Sequence, residues 1–193
     1  KAGETVPEIR FSGFADDWEQ RKLVDVVARR SKQCENTSFP SVEYEDIVSG
    51  SGVLNRDIYG KQTHKKGILF KPMDTLFGKL RPYLDNRLLP DFEGLAVGDF
   101  WVLKPANINS EFLFTLIQTD RFKTVANQSS GTKMPRSDWK TVSETEFNIS
   151  KTKQEQEKIG AFFKNLDKEL IKHQHRLNAL QTLKKGLLQR MFI

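Results

Sequence analysis

The stretch FFKNLDKELIKHQHRLNALQTLKKGLLQRMFI, residues 162–193, decides the architecture expected for this chain. It continues a helical pattern that begins near Lys151, with apolar side chains at alternating steps of four and three residues. A helix over residues 153–190 would be roughly 57 Å long. The preceding part of the chain, a body of about 150 residues, has an expected radius of gyration of only ~15 Å. The sequence therefore predicts a helical rod that projects beyond a compact body.

The apolar stripe of this rod follows a heptad pattern, which is typical of helices that pair. His173 and Lys184 interrupt the pattern, and Leu183 and Leu188 widen the stripe beside it. A terminal helix with such a stripe often packs on its own domain, but the length of this rod favours a second helix that comes from elsewhere. The predicted helix-pairing residues are Ile159, Phe163, Leu166, Leu170, Leu177, Leu180, Leu187 and Met191.

The net charge of +6 is concentrated in the rod. Residues 1–150 carry 21 Lys and Arg against 21 Asp and Glu, whereas residues 151–193 carry 10 against 4. The body nevertheless contains two basic segments, with eight basic and three acidic residues at 56–87 and five against one at 121–140. If these segments meet on one surface, they form a positive patch suited to a phosphate backbone. The alternative is that these lysines and arginines form only a solvated surface.

Two loops within the basic segments have the side chains of a nucleic-acid binding site. GKLRPYLDNR, residues 78–87, combines basic and aromatic side chains, and NQSSGTKMPRSDW, residues 127–139, places amides, hydroxyls and cations beside a glycine. Amides and hydroxyls pair with base edges, whereas lysine and arginine suit phosphates. An ordinary polar turn is the alternative. The predicted DNA-binding residues are Lys61, His64, Lys65, Lys66, Lys79, Arg81, Tyr83, Arg87, Gln128, Ser129, Ser130, Thr132, Lys133 and Arg136.

The body has the pattern of an α+β domain. Residues 15–30 form an amphipathic pattern that predicts a short helix or turn, and residues 107–128 have capping candidates followed by helical apolar spacing. Short apolar or aromatic segments bounded by Gly, Pro or Asp predict strands, which we expect to form one sheet. These strand segments are residues 67–70, 74–80, 94–105 and 138–149.

No catalytic, metal or cofactor site is predicted. The segment GVLNRDIYGKQ, residues 52–62, has too many residues between its glycines for a phosphate-binding loop, and it ends in Gln62. His173 and His175 point to different faces of a helix, and Cys34 has no cysteine partner. The single cysteine and the lack of a long apolar run favour a cytoplasmic protein with no membrane segment.

Four segments of the chain carry a family resemblance, namely PEIRFSGFADDWEQRKL (7–23), DTLFGKLRPYLDNRLLPDFEGLAVGDFWVLKP (74–105), QSSGTKMPR (128–136) and EQEKIGAFFKNLDKELIKHQHRLNALQTLKKGLLQRMF (155–192). In this order they resemble the specificity (S) subunit of type I restriction-modification enzymes. The resemblance spans almost the whole chain, and the closing helix is its most specific part. The family usually has a proline shortly before the Glu-Gln pair that begins this helix, whereas ISKTKQEQEKI, residues 149–159, has none.

This resemblance implies one half of a functional pattern. An S subunit has two target recognition domains, each followed by a long helix, and the two helices pair antiparallel to hold the domains at a fixed distance. Residues 1–150 would then be one DNA-binding target recognition domain, and residues 151–193 would be one spacer helix. We interpret the chain as a C-terminal half, or as a half-length subunit that pairs with a second copy.

The resemblance also implies the partners of the chain. Double-stranded DNA is the ligand, methyltransferase (M) subunits bind S-adenosylmethionine, and restriction (R) subunits use ATP. The S subunit itself is not an enzyme and carries no cofactor. The alternative function from another class is a protein-interaction adaptor, which pairs through its coiled coil and does not bind DNA.

Overall fold

The computed structural model describes residues 6–35, 38–59, 65–128 and 133–192. The C-terminal helix, α5 (Lys153–Met191), has 39 residues and is therefore about 58 Å long, which confirms the predicted rod. The strands are β1 (Glu19–Lys22), β2 (Val27–Arg30), β3 (Gln33–Cys34), β4 (Ser41–Val42), β5 (Ile47–Val48), β6 (Val53–Leu54), β7 (Gly67–Phe70), β8 (Thr75–Gly78), β9 (Arg87–Leu88), β10 (Gly94–Ala96), β11 (Phe100–Pro105) and β12 (Glu146–Ile149). The helices are α1 (Leu23–Val26), α2 (Ser110–Leu116), α3 (Asp120–Ala126), α4 (Trp139–Glu144) and α5 (Lys153–Met191), with 3-10 turns at Tyr44–Asp46 and Pro82–Leu84.

The strands within the described residues form four separate sheets. The central sheet has the order β2-β11-β8-β9, and a second sheet has the order β3-β7-β10-β4. Two-stranded sheets join β1 with β12 and β5 with β6. The predicted α+β class is confirmed, but the prediction of a single sheet is wrong. One reason is visible at residues 94–105, where Gly98, at φ +104°, separates β10 from β11 and the two strands enter different sheets.

Side chains of the central sheet reach two apolar cores, because successive residues of a strand point to opposite faces. Leu76 and Val102 face the second sheet and share a core with Phe70. Their neighbours Phe77 and Trp101 face the other way and share a core with apolar side chains of the helices. The central sheet is therefore covered on both faces, and the loops at its edges carry the exposed polar residues.

The predicted short helix or turn within residues 15–30 is present as α1, which lies between the paired strands β1 and β2. Two other local predictions differ from the structure. Residues 107–128 form two helices, since the side chain of Thr119 caps a new helix, α3, after α2 ends. Residues 138–149 form a strand only in their second half, because Asp138 caps α4 at their start.

The first turns of α5 pack against the body, chiefly against α2. Glu155, Gln156 and Gly160 are buried at this junction. The side chain of Gln156 donates to the carbonyl oxygen of Ser150 at 2.8 Å and accepts from the N–H of Asn109 at 2.7 Å. A Cβ atom on Gly160 would lie 2.8 Å from a backbone nitrogen of α2, so glycine permits this close approach of two helices. The long helix is therefore anchored to the body at its N-terminal end.

Candidate nucleic-acid interface

Two of the loops predicted to bind DNA lie side by side in the structure. Residues 79–85 follow β8, and residues 133–137 precede α4. The N–H of Arg81 donates to the carbonyl oxygen of Pro135 at 2.8 Å. A second backbone hydrogen bond and an isolated antiparallel bridge join the loops next to this contact. We call these two segments the basic loop pair, because most of the predicted cations in the described residues lie on them.

A carboxylate and a tyrosine hold the base of the basic loop pair. Asp99 accepts from the guanidinium of Arg136 at 3.0 and 3.1 Å and lies 3.4 Å from the ammonium nitrogen of Lys79. The hydroxyl of Tyr44 donates to the carbonyl oxygen of Asp99 at 2.5 Å and accepts from the N–H of Leu80 at 3.1 Å. Burial raises the pKa of Tyr44, so its hydroxyl keeps its proton and this hydrogen bond at neutral pH. These contacts fix both loops before any ligand binds.

The outer side chains of the basic loop pair are available to a ligand. Arg81 and Lys133 are exposed, and neither forms an ion pair within the described part of the chain. Tyr83 is 61% exposed. Lys79 and Arg136 are partly neutralised by Asp99, and a phosphate group would have to share them with that carboxylate. The basic loop pair therefore carries two unpaired cations, two paired ones and one exposed aromatic ring.

Arg87 does not fit its predicted role as a DNA contact, because its side chain is buried. It is 6% exposed and forms an ion pair with Asp85. The same guanidinium donates to the carbonyl oxygen of Gly50 at 2.8 Å and to the side-chain oxygen of Gln118 at 2.9 Å. Arg87 therefore supports the loop at residues 79–85 from inside the body.

The other predicted DNA-binding residues are placed only in part. Lys65 and Lys66 precede β7, in the second sheet, and pair with Glu43 at 2.8 Å and Glu35 at 3.6 Å. Gln128 is exposed after α3. For these three residues a role in DNA binding stays a prediction. Five predicted residues lie outside the described residues, namely Lys61, His64, Ser129, Ser130 and Thr132.

The seam of α5 remains exposed on this single chain. Leu170 is 60% exposed, Leu180 56% and Met191 73%. Phe163, Leu166, Leu177 and Leu187 are exposed as well. Ile159 differs from these residues, because it is partly buried against the core of the body, and its role in pairing stays a prediction. Among the described helices, none has the length and apolar character needed to cross a membrane.

A different face of α5 contacts the body. The ammonium group of Lys164 pairs with Glu111 of α2 at 2.5 Å, and Asp167 and Ile171 are partly buried farther along the helix. These positions follow Gly160 at steps of three to four residues, so they lie along one side of the helix. Packing on the body and pairing with a second helix, the two interpretations of the apolar stripe, therefore apply to different faces of α5. One face packs on the body, and the seam is left for another helix.

Glu155 links the N-terminal segment, Ser150 directly after β12, and α5 in one network around a buried carboxylate. Its carboxylate accepts from the guanidinium of Arg10 at 2.6 and 2.9 Å. It also accepts from the indole N–H of Trp18 at 3.1 Å and from the hydroxyl of Ser150 at 2.5 Å. Burial by itself would raise the pKa of Glu155, but the hydrogen bonds from Arg10 and Ser150 and the charge of Arg10 outweigh it, so the pKa is lowered.

The lowered pKa predicts a pH-dependent stability. Because the folded-state pKa lies below the unfolded value of about 4.3, stabilisation by the carboxylate is complete above that value. It is lost as the pH falls through the folded-state pKa. We expect the difference in unfolding free energy between the wild type and Glu155→Gln to be constant from about pH 8 to 5 and to shrink below about pH 4. Urea titrations across this range measure it, and a difference that stayed constant to pH 3 would contradict it.

A comparison with protein-family models identifies the family to which this architecture belongs. The family model of the type I restriction modification DNA specificity domain matches residues 15–182, which include most of the body and most of α5. The chain belongs to this specificity-domain family. A comparison with curated proteins gave no significant match.

Solved structures of specificity subunits share the fold of this specificity domain. The HsdS subunit from Thermoanaerobacter tengcongensis has 24% sequence identity and a TM-score of 0.63, with 89% of this chain and 47% of that chain covered. A chain from a study of complex assembly and conformational transition of the type I R-M system has 22% identity and a TM-score of 0.64, with 94% and 49% covered. The S subunit from M. genitalium has 14% identity and a TM-score of 0.57, with 86% and 43% covered. The chain thus spans about half the length of the solved structures that it matches.

Two residues that shape this specificity domain were not predicted from the sequence. Asp99 and Tyr44 hold the basic loop pair, yet they lie far from it along the chain and belong to no recognisable motif. The Glu-Gln pair at Glu155 and Gln156 did stand out as part of the family resemblance. Its burial shows a physical reason for that pattern, since both side chains fix α5 to the body.

Proposed function

We propose that the body reads one half of a split duplex DNA target, as part of a type I restriction-modification complex in the cytoplasm. The observation that carries this proposal is the basic loop pair. Two segments that are distant in the sequence meet through backbone hydrogen bonds, and Arg81, Lys133 and Tyr83 are exposed on these segments of a specificity-domain chain. Cations of this kind neutralise phosphates, and a polar and aromatic surface between them suits contacts with bases.

In this proposal α5 sets the spacing between two DNA-reading domains. The exposed seam pairs with the corresponding helix of a second specificity half, or with that of a second copy of this chain. An anchored, rigid helix transmits a fixed distance and helical phase, which recognition of a split site demands. Methylation with S-adenosylmethionine and DNA translocation with ATP would belong to the M and R subunits. The chain itself would supply only recognition.

The double substitution Arg81→Glu and Lys133→Glu tests the surface. We expect it to weaken binding to duplex DNA of any sequence by at least about tenfold at 100 mM salt, because two phosphate contacts are replaced by repulsion. The slope of log affinity against log salt should become shallower by about two, one for each lost phosphate contact. Fluorescence anisotropy over a salt series measures both quantities.

The matched control is the double substitution Lys22→Glu and Lys104→Glu, which changes the net charge by the same amount at exposed lysines of β1 and β11, outside the basic loop pair. It should change DNA affinity much less than Arg81→Glu with Lys133→Glu. Equal losses for the two proteins would mean that net charge, and not this surface, governs binding.

The adaptor function is tested by selection from random duplexes. Light scattering first establishes whether the chain is paired, and binding is then selected in the presence of the methyltransferase subunit. A pair that enriches a split motif supports recognition through two halves, and a monomer that enriches one short motif supports a single reading domain. A paired chain with no binding, or with binding that does not respond to salt, favours the adaptor.

A further inference from the structure

The loop at residues 79–85 contains a short turn in an uncommon backbone conformation. The 3-10 turn Pro82–Leu84 lies between Arg81, at φ +49°, and Asp85, at φ +52°. Both flanking residues have left-handed backbone conformations, which residues other than glycine seldom adopt. Such a conformation persists only where the surroundings impose it, and it occurs often at binding sites.

The surroundings of this turn impose its conformation from two sides. Asp85 forms ion pairs with the buried Arg87 and with Lys123, the latter at 2.9 Å. Its carbonyl oxygen also accepts from the N–H of Gly50 at 3.1 Å. At the other end, Arg81 is bound to the second basic loop through its backbone N–H. The turn is therefore held rigidly at both ends.

The rigid turn exposes apolar surface among cations. Tyr83 is 61% exposed and Leu84 is 37% exposed, although both follow the buried Pro82. An open groove beside them is lined by polar side chains of the β5–β6 connection and of the end of α3. Arg81 directly precedes the turn, and Lys123 is ion-paired with Asp85, which directly follows it. An apolar tip beside the unpaired cation Arg81 suits a DNA groove, in which base edges lie between two rows of phosphates.

We propose that the Pro82–Leu84 turn enters the major groove and reads a thymine by apolar contact of Tyr83 or Leu84 with its 5-methyl group. The inference rests on the proposed DNA-binding function and adds the chemical feature that the turn recognises. The 5-methyl group of thymine is the apolar feature that base edges display in the major groove. A preorganised tip loses little conformational freedom when it makes this contact, so the contact discriminates efficiently.

Replacement of thymine by deoxyuridine in the preferred half-site provides the test, because it removes the methyl group and preserves base pairing. We expect one replacement to weaken binding of the wild-type chain by about fourfold, the effect of exposing one methyl-sized group. If Tyr83 makes the contact, the Tyr83→Ala variant should bind the thymine and deoxyuridine half-sites equally well. If Leu84 makes it, the Leu84→Ala variant should do so. Tyr59→Ala removes a ring that is 70% exposed elsewhere, and it should keep the full response.

The outcomes separate this inference from the proposed function. Sequence-selective, salt-dependent binding in which no thymine replacement matters, or a preferred half-site without thymine, overturns the inference and leaves the proposed function in place. Equal responses of the wild type and both alanine variants also overturn it. A chain that selects no DNA sequence in its paired form with the methyltransferase subunit overturns both.

Discussion

Replacing Glu155 by alanine is expected to lower the free energy of unfolding by about 3 kcal/mol, the largest effect of any single substitution that we predict. The carboxylate is fully buried and accepts hydrogen bonds from three side chains, those of Arg10, Trp18 and Ser150. Alanine leaves these donors without their acceptor. It also removes the link between the N-terminal segment and α5. Urea unfolding at pH 7, followed by circular dichroism, measures the loss.

Two further variants define the origin of this effect. Glu157→Ala removes an exposed carboxylate two residues along the same helix and should change stability by no more than about 0.5 kcal/mol. Glu155→Gln keeps the shape and part of the hydrogen bonding, so its loss should fall between the two alanine variants. If Glu155→Ala were as stable as Glu157→Ala, the buried network would not be what anchors the helix.

The double substitution Leu177→Asp and Leu180→Asp should abolish pairing through α5. Both leucines are about half exposed on the single chain and lie in the heptad seam. Pairing would bury them, whereas two carboxylates in the same positions would have to lose water without a partner. We expect the affinity of the helix pair to fall at least about a thousandfold, because each buried leucine contributes ~2 kcal/mol and each buried charge costs more. Sedimentation equilibrium of the chain with itself, or with a second specificity half, measures it.

The control for the seam is Ala179→Asp. Its position differs from that of Leu177 by about 200° around the helix, so it introduces the same side chain away from the seam. Pairing should survive this change with a small loss from helix propensity. Unchanged pairing of the double variant would show that another face of α5, or another part of the chain, forms the contact.

The elements that were predicted correctly are those in which a local pattern carries the information. The steps of four and three along α5 are a property of one helix and need no knowledge of the body. The segment GILF was likewise predicted as a strand and forms β7. Residues 138–149 show that a local pattern can be overridden by tertiary contacts. Their apolar residues suited a strand, but a cap at Asp138 and the position of α4 beside α1 and α3 made the first half helical.

For the candidate site, the residue types were visible in the sequence and their arrangement was not. Lys79, Arg81 and Arg136 were all candidates because of their charge, and the structure brings their loops together. Arg87 was a candidate for the same reason, yet its guanidinium is buried. Charge alone does not distinguish these two environments. The distinction depends on Asp85, Gly50 and Gln118, which come from separate parts of the chain.

The sequence by itself determined the α+β class, the long helix with its heptad seam and the family resemblance, because each follows from local periodicity or from short motifs. The tertiary structure decided which side of α5 packs on the body, which basic residues reach solvent, and how the turn at Pro82–Leu84 is held at both ends. These features depend on contacts between residues far apart in the chain, such as Arg10 with Glu155 and Arg81 with Pro135. Only folding brings such groups within a few ångströms, where burial and hydrogen bonding give each side chain its role.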